Sequence, residues 1–232
     1  MPTNHTIIYS RIYLTRMERS TSLQEQGVVD ALAQKLKKHG FDWLPRLHQF
    51  RRSSKNGFSC LILSSSPANS GSIMEAHVGL RMDDVENLAF PFTNGLPGFQ
   101  PDSMTLVTPM ARLYDQRFQR LNVKDEKDQE AAALLFGTQL EEAGLPFIEA
   151  YSTLAALDLL FNEAPEEPLA LVHNQINRCF RGIVLARLTH RPDFEDIVRA
   201  YTTALESHLF APAPTLNKFE RLAAFLRHYS MN

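Results

Sequence analysis

The chain has 232 residues, of which 44% are hydrophobic and 22% are charged, close to the averages for globular domains. Its net charge of −2 excludes the strongly basic composition of dedicated nucleic-acid-binding and membrane-surface proteins. No stretch approaches the roughly 20 consecutive apolar residues of a membrane-spanning helix, and residues 1–9 lack the apolar core of a signal peptide. We therefore expect a cytoplasmic protein with neither a nucleic acid nor a membrane as its partner.

The N-terminal residues 1–20 have weak hydrophobic patterning and are predicted to form either a short strand or a loosely docked arm. The first helix is predicted to begin at Ser22. Ser22-Leu23-Gln24-Glu25 matches the capping box, in which the serine hydroxyl caps the helix and Glu25 reaches back. Gly40 is expected to follow the helix in a left-handed conformation. The apolar stripe of this helix is Val28, Val29, Leu32 and Leu36.

Residues 47–81 are predicted to form two or three antiparallel strands. Asn56-Gly57 lies between two strand-like runs, and this dipeptide favours a type I′ hairpin turn, whose two central residues both need a positive φ. The run 73–81 alternates between apolar and ionisable residues, so its side chains should point to opposite faces of the sheet. One face is predicted to carry Met74, Ala76, Val78 and Leu80, and the other Glu75, His77 and Arg81.

Four further segments complete the first half of the chain. Residues 82–89 are predicted to form a short acidic helix or a turn, and 90–101 contain three prolines and two glycines that predict a structureless loop. Residues 104–108 and 117–123 are candidate strands.

The second half of the chain is predicted to be helical. A helix over 124–142 is expected to end at Gly144, and Pro146 is expected to open a second helix that extends to Leu160. Further helices are predicted over 173–188, 194–205 and 218–229. The fold class is therefore α+β: an N-terminal helix, a mainly antiparallel sheet of about four to five strands, and about five C-terminal helices. The sheet region 1–123 and the helical region 124–232 are expected to pack together as one compact domain.

No established catalytic or cofactor motif is present in the sequence. It lacks a glycine-rich phosphate loop, a Gly-x-Ser-x-Gly elbow, a His-Glu-x-x-His helix and an acidic calcium loop. Its two cysteines, Cys60 and Cys179, lie in apolar patterns and are predicted to be buried free thiols. We therefore expect no metal ion, no cofactor and no catalytic residue.

The first candidate site is the ionisable face of the third strand. Glu75 and His77 lie two residues apart and should stand side by side, with Arg81 further along the face and His48 joining them across the hairpin. Two interpretations remain open. The group is either a solvated surface ion pair or an acid–base or metal-binding group.

A second candidate is the basic hairpin end formed by Arg51, Arg52 and Lys55. These three cations could hold a phosphate or an acidic partner, or they could keep an exposed edge strand soluble.

A third candidate is acidic, and it could meet a basic partner or consist of helix caps and solvated loops. Its members are Asp83, Asp84, Glu86, Glu163, Glu166 and Glu167.

One helix carries a polar stripe opposite its apolar one. Asn174, Arg178 and Arg181 are spaced to share a face, with His190 beyond the helix end. This face is expected either to lie against the ionisable face of the sheet or to face water.

Three sequence segments carry a resemblance to a known family. They are a helix ending in Leu36-Lys37-Lys38-His39-Gly40-Phe41, a basic strand with Phe50-Arg51-Arg52, and an apolar strand that ends Leu61-Ile62-Leu63-Ser64-Ser65-Ser66. Residues 22–81 resemble the opening of a bacterial domain of unknown function that is associated with immunity proteins of polymorphic toxin systems. The resemblance implies a non-enzymatic binding protein, and it carries over no catalytic residues.

Two functions are consistent with the sequence. The first is a non-catalytic cytoplasmic interaction protein, of the immunity type, that binds a partner protein. The alternative is a small-molecule-binding protein or a hydrolytic enzyme, with its site on the polar sheet face under the 90–101 loop.

Overall fold

The structure is a computed structural model that describes residues 22–116 and 119–230. Its architecture confirms the predicted α+β class, because an N-terminal helix, an antiparallel sheet and a helical second half follow one another along the chain. The prediction of a strand or a loosely docked arm over 1–20 lies outside the described residues.

The sheet and its flanking helices fill the first half. The helices are α1 (Leu23–Lys37) and α2 (Asp83–Ala89). The strands are β1 (Asp42–Leu44), β2 (Gln49–Ser54), β3 (Gly57–Pro67), β4 (Ser72–Met82), β5 (Leu106–Pro109) and β6 (Leu121–Val123).

The remaining helices follow β6. They are α3 (Glu126–Gln139), α4 (Leu145–Ala150), α5 (Leu154–Asn162), α6 (Gln175–Leu188), α7 (Phe194–Thr203) and α8 (Ala213–His228). A π-helical turn, Leu140–Gly144, joins α3 to α4, and a second one, Ala204–His208, follows α7.

The sheet is antiparallel throughout, in the order β1-β2-β3-β4-β5, and β6 pairs with the beginning of β4. β3 and β4 form its long central ribbon, with Leu61 opposite Val78 and Ile62 opposite His77. Since β5 pairs with residues 77–80 and β6 with residues 72–74, two short strands share the outer edge of β4.

The first helix follows its sequence signals closely. The Glu25 amide donates to Ser22 Oγ at 3.1 Å, as the predicted N-cap requires, and the stripe Val28, Val29, Leu32 and Leu36 is buried. Gly40 has a φ of 77°, which confirms its left-handed conformation.

The predicted type I′ turn at Asn56-Gly57 is wrong. Ser54 pairs with Gly57, so the two turn residues are Lys55 and Asn56, and neither has a positive φ. Gly57 is instead the first residue of β3, with a φ of 141°. A Cβ atom there would lie 2.0 Å from the carbonyl oxygen of Arg81. The glycine is needed because the β4 backbone approaches it, which the dipeptide alone does not reveal.

The structureless loop predicted over 90–101 is also wrong. Two short 3₁₀ helices, Phe90–Phe92 and Pro97–Asp102, lie in this stretch. Each begins with a proline in its first turn, a position where the missing amide removes no hydrogen bond.

The helix boundaries predicted around Gly144 are displaced. Gly144 is right-handed and lies inside one continuous helical segment, where the Leu145 amide bonds to the Leu140 carbonyl through the π turn. Pro146 lacks an amide hydrogen, and the helix tolerates it because the π turn just before it has already shifted the hydrogen-bonding register. The break comes later, at Thr153, whose hydroxyl caps the Ala156 amide at 3.2 Å. The chain bends there by 95°.

One hydrophobic cluster extends from α1 and the sheet into the C-terminal helices. α6 lies at its centre, and every residue from Arg178 to Ala186 is buried. Among the helices described, none is by itself long and apolar enough to cross a membrane. Only the bent pair Glu126–Ala150 and Leu154–Asn162 reaches that length and composition together.

Candidate functional site

The predicted alternation along β4 is confirmed. Met74, Ala76, Val78 and Leu80 are buried in the main cluster, and Glu75, His77 and Arg81 lie on the opposite face, called here the polar face. The middle of the polar face is itself apolar. Phe58, Cys60 and Ile62 form a second small cluster there, against Met104 and Val107.

Arg81 holds a loop in place and lies apart from Glu75 and His77. Its side chain is only 5% exposed and donates to Asp83 Oδ1 at 2.5 Å. It also donates to the Gln100 carbonyl at 2.7 Å and to Ser103 Oγ at 2.7 Å. Residues 100 and 103 therefore contact the polar face at the Arg81 end, whereas the site predicted under the 90–101 loop stays a prediction.

Glu75 and His77 form the expected pair at the other end of the polar face. His77 Nε2 lies 3.7 Å from Glu75 Oε2, and Arg120 Nε donates to Glu75 Oε1 at 2.5 Å. Interaction with His77, and then with Arg120, lowers the pKa of Glu75 to about 2. Glu75 is thus ionised at neutral pH and has two cationic or hydrogen-bonding neighbours.

Two more basic side chains stand beside this pair. The electrostatic neighbours of His173 are His77, Arg112 and Glu75, and its pKa is lowered by burial and then by the charges of His77 and Arg112. His173 is therefore uncharged at neutral pH. We call Glu75, His77, Arg112, Arg120 and His173 the polar cluster. It holds two permanent guanidinium charges against one carboxylate, so it has an excess of positive charge.

A cavity of about 510 Å³ opens next to the polar cluster at Arg112. Its wall combines charged, polar and apolar side chains: Arg112, Asp115, Gln116, Ala170 and Leu171. Arg112 Nε is buried and has no hydrogen-bond partner. Less than 1 Å² of this nitrogen is exposed, so it is enclosed by the protein, and a ligand in the cavity would contact other parts of the Arg112 side chain.

His48 does not join the Glu75–His77 pair. Its Nδ1 contacts Glu25 Oε1 on α1, and the second oxygen of Glu25 accepts from Ser65 Oγ at 2.6 Å. Glu25 and His48 are 1% and 6% exposed. The contact links α1 to the beginning of β2, which gives His48 a structural role.

The three cations of the hairpin end do not converge either. Arg51 donates to Asp102 at 2.8 Å and lies over the Phe58 ring. Arg52 lies over the Phe41 ring and donates to Ser59 at 3.3 Å. Arg51 and Arg52 are adjacent in β2, so their side chains point to opposite faces of the sheet. Since both are engaged there, exposed Lys55 in the turn is the member of the three that remains available to a phosphate or an acidic partner.

The two arginines of the polar stripe, Arg178 and Arg181, face neither the polar face nor water, whereas Asn174 is exposed. Arg181 makes a bidentate ion pair with Glu86, at 2.6 and 2.8 Å, and both side chains are buried. Arg178 donates to the carbonyls of Phe161, at 2.6 Å, and Ala164, at 2.9 Å. Glu86 is therefore buried and does not belong to the acidic surface that was the third candidate.

Both cysteines are buried free thiols, as predicted. Burial raises the pKa of Cys60 and of Cys179 to about 12, which makes both thiols poor nucleophiles. Within residues 22–116 and 119–230, no three His, Cys, Asp or Glu side chains are arranged to hold a metal ion.

Comparison with protein-family models, with curated proteins and with solved structures finds no match for this chain.

Glu75 and His77 are recognisable as a candidate site from the sequence, but the other members of the polar cluster are not. Arg112 lies in a short 3₁₀ helix, Met110–Tyr114, and His173 lies just before α6. Neither belongs to a local pattern that predicts a site, because tertiary packing alone brings them to β4. The left-handed φ of Asp115, 55°, has a weak sequence signal, since aspartate tolerates this conformation better than most residues.

Proposed function

We propose that this chain is a non-catalytic small-molecule-binding protein that holds the acidic group of its ligand against Arg112. The observation that supports this function is that Arg112 lines a 510 Å³ cavity and forms no ion pair with any residue of 22–116 or 119–230. A guanidinium group matches the geometry of a carboxylate, and the two parallel hydrogen bonds of such a pair give orientation as well as affinity.

The polar cluster favours an anion for electrostatic reasons. Arg112 and Arg120 contribute two positive charges, and the single carboxylate of Glu75 is already bound to Arg120 at 2.5 Å. The neutral imidazole of His173 can donate or accept a hydrogen bond at neutral pH. The polar cluster therefore attracts an acidic group, although the carboxylate of Asp115 in the cavity wall opposes this attraction.

Acid–base hydrolysis is less well supported than binding. A general base works best when its pKa lies near the working pH. With a pKa of about 2, Glu75 is a weak base at neutral pH. We therefore assign Glu75 the role of orienting His77 and Arg120 around the ligand.

Titration with a simple carboxylate tests the proposal. Calorimetry with 4-methylpentanoate should give saturable binding to the wild-type chain, and Arg112→Gln should weaken it by about 10-fold or more. Arg199→Gln is the matched control, since Arg199 is 72% exposed and pairs with Asp196 on its own helix. Equal binding by wild type and Arg112→Gln would overturn the proposal.

Binding of a partner protein, the first function predicted from the sequence, stays a prediction. Arg120, with a side chain 64% exposed, and His173 are the exposed basic members of the polar cluster, and an acidic residue of another protein can reach them. Co-purification with the products of neighbouring genes is the measurement that tests it.

A further inference from the structure

We infer that the ligand of this cavity is a zwitterion with an apolar side chain, which is the chemistry of a free hydrophobic α-amino acid. The inference rests on the proposed function and adds two features to it. Asp115 takes a positively charged amino group, and Ala170 with Leu171 takes the apolar part of the ligand.

The Arg112 guanidinium and the Asp115 carboxylate lie in the wall of the same cavity. Arg112 and Asp115 both line the cavity and are three residues apart at a 3₁₀ helix, with the Asp115 amide bonded to the Arg112 carbonyl at 3.4 Å. Asp115 follows the helix with a left-handed φ of 55°, and its side chain lines the same cavity as that of Arg112. The guanidinium and the carboxylate are therefore both available to one ligand.

Arg112 and Asp115 do not neutralise each other. Across residues 22–116 and 119–230, neither side chain forms an ion pair or a hydrogen bond, and Arg112 Nε is buried without a partner. An anion alone would satisfy Arg112 but would be repelled by Asp115. A ligand that carries both charges on neighbouring groups satisfies both residues.

Another part of the cavity wall is apolar. Ala170 and Leu171 lie in the segment between α5 and α6, and they give the cavity an apolar surface. The amide of Gln116 adds a group that can donate or accept a hydrogen bond. An aliphatic side chain would bury its surface against Ala170 and Leu171, whereas a purely polar zwitterion would leave this wall unused.

Three probes of one shape separate the contributions. Leucine has both charges, 4-methylpentanoate lacks the amino group, and 3-methylbutylamine lacks the carboxylate. Calorimetry on the full chain should show leucine as the tightest ligand, with 4-methylpentanoate about 10-fold weaker and 3-methylbutylamine weaker still.

Two variants assign the charges to residues. Asp115→Asn should weaken leucine about 10-fold and leave 4-methylpentanoate unchanged or tighter, because a repulsive carboxylate is removed. Asparagine also tolerates the left-handed backbone of this position. Arg112→Gln should weaken both ligands. Circular dichroism and melting curves of each variant establish that it is folded.

The outcomes distinguish this inference from the proposed function. If 4-methylpentanoate binds as tightly as leucine, and Asp115→Asn changes neither affinity, the zwitterion inference fails while the carboxylate site stands. If 3-methylbutylamine binds as tightly as leucine, or if no probe binds up to millimolar concentration, both fail.

Discussion

Two arginine–glutamate pairs in this molecule have the same bidentate geometry but differ in exposure. Arg181 and Glu86 join α6 to α2, with side chains 8% and 0% exposed. Arg227 and Glu195 join α8 to α7, with side chains 44% and 52% exposed. The comparison isolates the effect of burial, since the two hydrogen bonds of the exposed pair, both 2.9 Å, resemble those of the buried one.

Replacing Glu86 with glutamine should destabilise the protein strongly. The substitution leaves the guanidinium of Arg181 buried without a counter-charge, and the loss of one partner of a buried pair costs about 3–5 kcal/mol. Glu195→Gln should change the free energy of unfolding by less than about 1 kcal/mol, because water solvates the Arg227 left behind. Urea denaturation of both variants measures the difference. Equal losses of unfolding free energy in Glu86→Gln and Glu195→Gln would show that burial does not determine the contribution of these pairs.

The pH dependence of unfolding gives a second readout of the same variant. Burial, the largest single effect, would by itself raise the pKa of Glu86, but the charge and hydrogen bonds of Arg181 together with hydrogen bonds from Ser103 and Thr105 outweigh it, and the pKa lies below its ordinary value of 4.5. A carboxylate with a lowered pKa stabilises the fold fully above that ordinary value, and the contribution is lost as the pH falls below it. The stability gap between wild type and Glu86→Gln should therefore narrow in acid.

At the scale of secondary-structure elements, Arg178 determines the position of the segment between α5 and α6. Its guanidinium donates to the carbonyls of Phe161, Ala164 and Glu167, which satisfies the end of α5 and the loop that follows. The same segment supplies Ala170, Leu171 and His173 to the cavity and the polar cluster. A buried arginine on α6 thereby supports a wall of the candidate site.

Arg178→Lys should loosen this wall. A lysine ammonium is a compact donor and cannot reproduce the planar fork that reaches several carbonyls. Hydrogen exchange over 163–172 should accelerate, and exchange in β2 and β3 should be unaffected. The matched control is Arg187→Lys, which alters a similar contact from α6 to the Tyr229 carbonyl. If both variants accelerate exchange in 163–172 equally, Arg178 has no special role there.

Elements with local determinants were predictable from the sequence. The cap at Ser22 and the alternation along β4 depend on residues within one turn or one strand, and both are present in the structure. The position of Gly57 was mistaken because its constraint comes from the carbonyl of Arg81, 24 residues away in sequence and on another strand. The π turn before Pro146 has no pattern of its own that distinguishes it from a helix end.

The candidate site was predictable only in part for the same physical reason. Glu75 and His77 were found because their two-residue spacing places them together on any strand. The sequence left open whether Arg181 lies against the sheet or faces water, because its ion-pair partner, Glu86, is 95 residues away in sequence. Arg112 and His173 reach β4 through packing of separate elements, which single-sequence periodicity does not encode.

On the scale of the whole molecule, the sheet and the C-terminal helices share one hydrophobic core. Phe50 and Leu61 from the sheet belong to the same buried cluster as Phe180 of α6 and Leu222 of α8. The Arg181–Glu86 pair adds a buried polar link between α6 and the helix that directly follows β4. A core shared in this way should unfold in a single cooperative step.

Two spectroscopic probes can test this cooperativity separately in the two halves. Trp43 is the single tryptophan, and its ring packs on Phe50 at a centroid distance of 4.8 Å, so its fluorescence reports on the sheet. Far-ultraviolet circular dichroism is dominated by helices, most of which lie after residue 125. The two urea midpoints should coincide in the wild-type chain. They should move down together in Glu86→Gln, because the substitution weakens a link that both halves share. A tryptophan transition that separates from the circular dichroism transition in either protein would show that the sheet and the helices unfold independently.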